Sequence, residues 1–280
     1  MRTRLRLQDF YNPAMLSGRV IDSTQRLRGV SNLAYTMRAL GRHDLPAALS
    51  LNGRIYRHVR TVKHDFFAAT GFYDDSGGHR IVLKVGRIND FFGFPAMFLG
   101  RWSCRRETRF YSRLSDLHNV PRVLGRVGKT GFVHEFVKGR PLGERDAGGK
   151  IQPIPDSFFD ELIALLRELH RRQIAYVDTN KPQNILQGDD GRPHLIDFQI
   201  SYDLHELGDN WLNRSVLERF KREDFYHVLK HKRRLRPDLM TAEERQMAAR
   251  KSWAIRLHRF VFAPYFKFRR RTFRRLRETG

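Results

Sequence analysis

Two short apolar strands with polar residues at their ends constrain this chain more than any other feature of its sequence. Residues 184–186 and 194–196 flank the turn at 188–191, Gly-Asp-Asp-Gly, and this pattern is typical of a β-hairpin. Residues 158–169 precede the hairpin and place apolar side chains at helical spacing, which predicts a buried helix. The sequence therefore predicts a helix followed closely by a hairpin.

Three polar residues stand close to this hairpin, and their chemistry indicates a metal site. Asn184 starts the first strand, Asp197 directly follows the second, and Asp178 precedes both. Their oxygens can converge on one hard cation, for which phosphate-bound Mg²⁺ is the natural occupant. Asp178 would then accept a proton from a hydroxyl that attacks phosphorus, so the residues predict phosphoryl transfer. The alternative is a purely structural role, because turns commonly contain Asp and Asn.

The part of the chain before residue 150 predicts a small antiparallel sheet with one helix. Apolar and β-branched residues form three strand-like stretches, and a fourth follows a segment with apolar residues at helical spacing. The predicted elements are strands at 55–62, 68–73 and 80–85, a turn at 74–78, a helix at 104–117 and a strand at 131–137. This order, followed by a mainly helical region, predicts an α+β fold.

Charge is distributed unevenly along the 280 residues, whose net charge is +23. Residues 1–63 hold 12 basic and 3 acidic residues, and residues 230–280 hold 17 and 4, whereas residues 64–229 hold 24 and 23. Basic flanks attract surfaces that carry phosphate, such as anionic lipid or nucleic acid. The nearly neutral middle is typical of an ordinary globular domain.

The cysteine content and the lengths of the apolar segments indicate the cellular compartment. The chain has one cysteine, Cys104, which cannot form an internal disulfide, and no apolar run near the N-terminus is typical of a signal peptide. No stretch approaches the ~18 consecutive apolar residues that a membrane-spanning helix needs. We therefore expect a cytoplasmic protein that does not cross the membrane.

The motif around the hairpin resembles a known family. Residues 178–186, Asp-Thr-Asn-Lys-Pro-Gln-Asn-Ile-Leu, and the later Ile196-Asp197-Phe198 look like the catalytic loop and the Asp-Phe-Gly segment of the protein-kinase-like superfamily. Lys84 and Glu107 complete the resemblance, which covers roughly residues 55–235. The short C-terminal half is similar to that of bacterial lipopolysaccharide core kinases, which phosphorylate heptose or Kdo, and to that of RIO-type kinases.

The resemblance implies a two-lobed protein-kinase-like fold that binds ATP and Mg²⁺. Lys84 would contact the α- and β-phosphates and pair with Glu107, while Asp178 would be the base. Asn184 and Asp197 would hold the metal, and residues Glu135 to Val137 would form the hinge beside adenine. The expected domains are a basic N-terminal extension at 1–54, an N-lobe at 55–150, a minimal helical C-lobe at 151–235 and a basic amphipathic arm at 236–280.

The sequence departs from the kinase pattern at places that bear on activity. Asn184 follows Asp178 by six positions where kinases have five, so we expect a local bulge between them. If Thr179 stood at the base position instead, the chain would be a crippled enzyme or a pseudokinase. Lys181 can still reach the transferred phosphate. No glycine-rich loop joins the first two strands, and Gln199 replaces the glycine after Asp-Phe.

The residues after the hairpin bear on the acceptor. No Ala-Pro-Glu segment follows Asp197 to build a peptide platform, so we expect the acceptor hydroxyl on a glycan or a lipid-linked sugar such as lipopolysaccharide core. Residues 222–234 set Glu223 and Asp224 ahead of a run of bases, which would bind an anionic sugar or lipid headgroup. A protein serine/threonine kinase is the alternative enzyme, and a pseudokinase that binds nucleotide or a partner is the alternative without catalysis.

The C-terminal arm interleaves aromatic residues with arginines from Trp253 onward. A helix of this composition, broken near Pro264, would lie at the headgroup level of an anionic inner-membrane surface, as a peripheral membrane protein does. The same composition can bind RNA, but no RNA-binding motif accompanies it, so the sequence favours membrane over nucleic acid. The remaining alternative is that the aromatic residues pack on the chain's own helical domain.

Overall fold

A computed structural model describes residues 4–5, 35–91 and 95–249 of the chain. These residues divide into two units. The first holds the residues up to Thr108 together with Val123–Phe136. The second holds Arg109–Arg122 and the residues from Val137 onward.

The first unit consists of a sheet and the greater part of one long helix. Its strands are β1 (Arg4–Leu5), β2 (Ala48–Leu51), β3 (Arg54–His64), β4 (Ala68–Asp74), β5 (Arg80–Gly86), β6 (Val123–Val127) and β7 (Gly131–Glu135). Within the described residues the sheet has seven strands in the order β1-β6-β7-β5-β4-β3-β2, and only the pair of β1 and β6 is parallel. The antiparallel sheet predicted from the sequence is therefore confirmed.

The two faces of this sheet differ, because successive side chains on a strand point to opposite sides. On one face, Tyr73, Ile81 and Leu83 belong to a buried core that also contains Leu40 and Leu49. Lys84 and Thr70, which are paired directly across β5 and β4, lie on the opposite face. Residues 39–51 thus cover the apolar face, although this stretch falls within the extension expected at residues 1–54.

The helix α1 (Met97–Arg113) begins seven positions before the start predicted at residue 104. Glu107 therefore lies in the middle of the helix rather than in its first turns. The start of α1 packs closely on the end of β5, where a Cβ atom at Gly100 would lie 2.0 Å from the carbonyl oxygen of Arg87. Only glycine permits this approach of helix and strand.

The second unit is mainly helical. Its elements are β8 (Gly139–Pro141), α2 (Phe158–Arg171), β9 (Ile174–Ala175), a 3₁₀ turn (Pro182–Asn184), β10 (Ile185–Gly188), β11 (Pro193–Leu195), β12 (Tyr202–Asp203), α3 (Leu204–Leu207), α4 (Trp211–Leu235), a 3₁₀ turn (Pro237–Leu239) and α5 (Ala242–Ala249). β10 and β11 form the predicted hairpin, with Ile185 opposite Leu195. β8 pairs on the other side of β10, and β12 pairs with β9.

The helix predicted at residues 158–169 is present, and further helices follow it in this unit. α2 buries the apolar stripe that begins at Phe158 and ends at Leu169, so the predicted helix is confirmed. Asn210 caps the N-terminus of α4, because its side chain accepts a hydrogen bond from the backbone N–H of Asn213. After α4, Met240 and Ala248 pack on Leu229.

Most of the predicted C-terminal arm, from residue 250 to the end, lies outside the described residues. The described beginning of the arm contains α5, which is joined to α4 by an ion pair of Lys232 and Glu244 with an N–O distance of 2.9 Å. None of the helices in the described residues combines the length and apolar character that spanning a membrane requires.

Candidate active site

Lys84 and Glu107 form a buried ion pair in the first unit. The ammonium nitrogen of Lys84, on β5, lies 2.8 Å from a carboxylate oxygen of Glu107, on α1. The side chains are only 8% and 1% exposed, so each charge depends on the other in a low-dielectric environment. The pair predicted from the sequence resemblance is therefore present, and it holds the lysine side chain at a defined place on the sheet.

The loop between β3 and β4 stands where kinases carry a glycine-rich loop. One carboxylate oxygen of Asp65 accepts hydrogen bonds from the backbone N–H groups of Phe67, at 2.9 Å, and Ala68, at 3.0 Å. The carbonyl oxygens of Phe66 and Phe67 accept from the side chain and the backbone of Arg87. Because both amides are already bound, this loop cannot cradle phosphate through them as a glycine-rich loop does.

The residues expected beside adenine lie where the chain passes from one unit to the other. Glu135 ends β7 in the first unit, and Val137 is the first residue of the following stretch of the second unit. Both are half-buried. The backbone carbonyl of Glu135 lies 2.8 Å from Nδ1 of His134 and accepts a hydrogen bond from it when that nitrogen carries the proton.

In the second unit, the Asp178 carboxylate is the centre of a local network. Asp178 is only 3% exposed, and one of its oxygens accepts hydrogen bonds from the side-chain amide of Asn184, at 2.6 Å, and from the ammonium group of Lys181, at 2.8 Å. The structure thus brings together three residues that the sequence assigned to the base, the metal ligand and the phosphate contact. Lys181 is about half exposed, which leaves it accessible to an anion.

The extra position between Asp178 and Asn184 is accommodated by two successive turns. The Lys181 N–H donates to the Asp178 carbonyl at 3.1 Å, and the Asn184 N–H donates to the Lys181 carbonyl at 3.0 Å. Thr179 is fully buried, and its hydroxyl donates to Asp224 at 3.2 Å. Asp178, and not Thr179, therefore lies beside Asn184, as the preferred alignment with a local bulge predicts.

The backbone before Asp178 is strained and is held by a buried carboxylate. Val177 has φ +70°, a conformation that costs a β-branched residue about 1–3 kcal/mol. The carboxylate of Asp224, on α4, accepts from the backbone N–H groups of Tyr176 and Val177, each at 2.8 Å, and lies 3.1 Å from the imidazole of His170. Asp224 is the residue that fixes this strained segment.

Asp197 lies at the end of the hairpin, next to Asn184. The N–H of Ile196 donates to the carbonyl of Asn184 at 3.1 Å, so the two predicted metal ligands are on neighbouring backbone segments. Asp197 has φ +63°, and its N–H donates to the hydroxyl of Tyr111 at 3.0 Å. The buried ring of Phe198 lies among aromatic rings, including that of Tyr176, with centroids 5.0 Å apart, and this anchors the segment.

The Tyr176 hydroxyl links the segment before Asp178 to the segment that carries Asp197. It donates a hydrogen bond to the carbonyl of Ile196. Burial, and then the charges of Asp197 and Asp178, raise the pKa of Tyr176 well above its ordinary value. The hydroxyl therefore stays protonated and remains a donor over the whole physiological range.

The donor set fits a magnesium ion. The side-chain nitrogen of Asn184 is bound to Asp178, so its amide oxygen is the atom that remains for a cation, and Asp197 supplies a carboxylate on the neighbouring segment. Among the described residues, no group of three or more His, Cys, Asp or Glu side chains is arranged to hold a metal.

Sequence reasoning missed the role of Asp224. It grouped this residue with the run of bases in residues 222–234, but the structure buries the carboxylate completely. Leu217, Asp224, Val228 and His231 lie on one buried stripe of α4, at helical spacing. An acid on an apolar stripe is the sequence signal that would have found it, because a buried carboxylate needs hydrogen-bond partners.

No protein-family model matches this chain, and no curated protein matches it. The crystal structure of the Rio2 kinase-ADP/Mg²⁺-phosphoaspartate complex from Chaetomium thermophilum is similar, with a TM-score of 0.51 and 20% identity over 65% of this chain and 56% of that chain. The Rio2 kinase from the same organism has a TM-score of 0.46 and 20% identity over 60% of this chain and 54% of that chain. The BubR1 kinase domain has a TM-score of 0.45 and 13% identity over 67% of this chain and 64% of that chain.

The first of these similarities shows that the chain has a protein-kinase-like fold. The chain spans little more than half the length of that Rio2 kinase structure, 56%. The α+β architecture expected from the sequence is confirmed. The more specific resemblance to lipopolysaccharide core kinases stays a prediction.

Proposed function

We propose that this chain is a phosphotransferase that moves the γ-phosphate of ATP, in the presence of Mg²⁺, to an acceptor hydroxyl. The observation that carries the proposal is the buried Asp178 carboxylate, hydrogen-bonded to Asn184 next to the segment that presents Asp197. These groups are a base and two oxygen ligands, which are the parts that phosphoryl transfer from a nucleotide needs.

Each site residue has a defined task in this proposal. Lys84, held by Glu107, contacts the α- and β-phosphates, and the backbone from Glu135 to Val137 lies beside adenine. Asn184 and Asp197 would hold Mg²⁺, which would offset the negative charge of the phosphates. Because the amides of the β3–β4 loop are occupied by Asp65, side-chain cations carry more of the phosphate binding than in kinases with a glycine-rich loop.

Asp178 is the proton acceptor. The acceptor hydroxyl gives its proton to the Asp178 carboxylate as its oxygen bonds to the γ-phosphorus, and the bond from that phosphorus to the bridging oxygen breaks, which releases ADP. Lys181, which contacts Asp178 and is about half exposed, would contact the phosphate in transfer. Asn184 keeps the carboxylate in place.

We propose a glycan or lipid-linked sugar as the acceptor. Only residues 198–210 separate Asp197 from α4, which is a short stretch for a peptide-docking platform. Apolar side chains are exposed in and next to this stretch, with Leu207 at 48%, Trp211 at 81% and Leu212 at 55%. Exposed apolar side chains that follow the site in sequence suit an amphiphilic acceptor.

A transfer assay tests the proposal. The purified full chain is incubated with Mg²⁺ and γ-labelled ATP, together with either a lipopolysaccharide core extract or a mixture of proteins. We expect label in the glycan fraction. Label in proteins alone would favour a protein serine/threonine kinase, and nucleotide binding without any transfer would favour a pseudokinase.

Matched variants assign the label to this site. Asp178→Asn removes the base and should lower the rate by about 10²-fold or more, and Asp197→Asn should abolish Mg²⁺-dependent transfer. Asp44→Asn is the control, because Asp44 is 78% exposed, pairs with Arg38 on the surface and lies outside the proposed site. Equal rates for the wild type, Asp178→Asn and Asp197→Asn would refute the proposed site.

We also propose that the chain is cytoplasmic and binds the inner membrane through its C-terminal arm. The support is the arm's composition, with 17 basic and 4 acidic residues in positions 230–280. Each basic residue near an anionic surface contributes on the order of 1 kcal/mol. In a flotation assay, the full chain should float with anionic liposomes, and a chain without residues 252–280 should not. Equal flotation of the two chains would contradict the proposal.

A further inference from the structure

A histidine on α4 contacts the loop that carries Asp178. Nε2 of His231 lies 2.9 Å from the backbone carbonyl oxygen of Thr179, and His231 is only 8% exposed. A carbonyl oxygen can only accept a hydrogen bond, so Nε2 carries the proton and donates it. His231 follows Asp224 by seven positions, or two helical turns, so both side chains lie on the same face of α4.

The two α4 residues bind the hydroxyl and the carbonyl of Thr179. Asp224 accepts from the Thr179 hydroxyl at 3.2 Å, and His231 donates to the Thr179 carbonyl. The first contact fixes the side chain, and the second fixes the peptide unit that follows. Thr179 is adjacent to Asp178, so holding both its side chain and its carbonyl restricts the backbone that carries Asp178.

The carbonyl of Thr179 needs a partner because of the loop's own geometry. The two turns between Asp178 and Asn184 use the carbonyls of Asp178 and Lys181 as acceptors. Thr179 is completely buried, so water does not reach its carbonyl, and an unpaired buried carbonyl is costly. His231 supplies the hydrogen bond that the longer loop would otherwise lack.

We propose that His231 is a positioning residue that holds the six-position loop from Asp178 to Asn184 in its active geometry. The inference rests on the proposed phosphotransferase function of this site. It explains how a loop one residue longer than in kinases still places the Asp178 carboxylate against Asn184. His231 acts through Thr179 and does not touch the substrate.

The test compares variants that keep or remove the donor. His231→Phe retains a buried ring without a donor, and His231→Gln retains a side-chain N–H. We expect His231→Phe to lower kcat about 10- to 100-fold with KM for ATP unchanged, because a displaced base slows the chemical step more than it weakens nucleotide binding. His231→Gln should recover part of kcat.

A second measurement does not depend on activity. Hydrogen exchange of the backbone amides of Val177, Lys181 and Asn184 should be faster in His231→Phe than in the wild type, while the amides of β4 and β5 keep their protection. His118→Phe is the control, because His118 is exposed and lies outside α4 and outside the segment 222–234. It should leave both kcat and loop exchange unchanged.

The outcomes separate this inference from the function on which it rests. A wild-type chain that transfers no phosphate refutes the proposed function, and the exchange data then decide whether His231 holds the loop. If the wild type is active and His231→Phe keeps kcat, or if loop exchange is the same in both, the inference is wrong. If His231→Phe also loses the protection of the β4 and β5 amides, the variant has a folding defect. The kcat of His231→Gln then decides: recovery of kcat supports the inference, and no recovery refutes it.

Discussion

Lys84 and Glu107 are both almost fully buried, and each compensates the charge of the other. Asp224 shows the same rule with different partners, since backbone N–H groups and a hydroxyl surround its carboxylate. A buried charge is tolerated only when hydrogen bonds or an opposite charge replace the lost water. At this scale, each polar residue of the site therefore depends on its partner for stability as well as for function.

Replacing Lys84 by methionine should destabilise the fold by about 3–5 kcal/mol, because it leaves Glu107 as an unpaired buried charge. Adding Glu107→Gln to that variant removes the charge and should recover part of the loss. Urea denaturation of the wild type, the two single variants and the double variant measures the coupling. Strictly additive effects would contradict a buried pair of mutually dependent charges.

Arg87 joins several elements at the end of β5. Its guanidinium donates to the carbonyls of Thr36, Phe66 and Asp90, and it lies 4.0 Å from the centroid of the Phe66 ring. The segment before β2, the β3–β4 loop and the stretch after β5 therefore meet around one buried side chain. The backbone carbonyl of Arg87, in turn, lies against Gly100 near the start of α1.

Gly100→Ala should show how tightly these elements pack. The added Cβ would lie 2.0 Å from the Arg87 carbonyl oxygen, so α1 or β5 must shift, at a cost of about 1–3 kcal/mol that outweighs the better helix propensity of alanine. Gly148→Ala is the control, since the nearest atom there belongs to the flexible side chain of Asp146, at 3.3 Å. The stabilities of the two variants are compared by thermal unfolding. A Gly100→Ala variant as stable as Gly148→Ala would refute the close packing.

The whole molecule contains histidines that burial keeps neutral. Burial, and then the nearby Arg38, lower the pKa of His64 to about 4, and burial also lowers the pKa values of His227 and His231 from 6.5. Below about pH 6.5 the unfolded chain takes up protons that the folded chain resists. Protonation therefore favours unfolding in this range, whereas above it these histidines are neutral in both states.

Stability should accordingly fall as the pH decreases from about 6.5 towards 4, the window that the lowered pKa of His64 defines. His64→Asn removes one such group and should make this decrease shallower. The test is to measure the free energy of unfolding of both proteins between pH 6.5 and about 4. His118→Asn is the control, because His118 is exposed. An identical slope for His64→Asn and wild type would contradict the contribution of His64.

The sequence by itself determined the main strands and helices and the residues of the candidate site. The strands at β3, β4 and β5, the helix α2 and the β10–β11 hairpin follow from apolar periodicity and turn residues, which are local signals. Asp178, Asn184 and Asp197 lie beside one hairpin, so their proximity also follows from local order. The strand β2 and the first turns of α1 were missed, because their short or mixed patterns carry little periodicity.

Only the tertiary structure decided which residues support that site. It placed Asp178 rather than Thr179 beside Asn184, and it buried Asp224 against a segment 45 to 48 positions away. It also covered the apolar face of the first unit with residues 39–51. The physical reason is that buried polar groups form hydrogen bonds with partners that are distant in sequence. Local sequence patterns do not identify those partners.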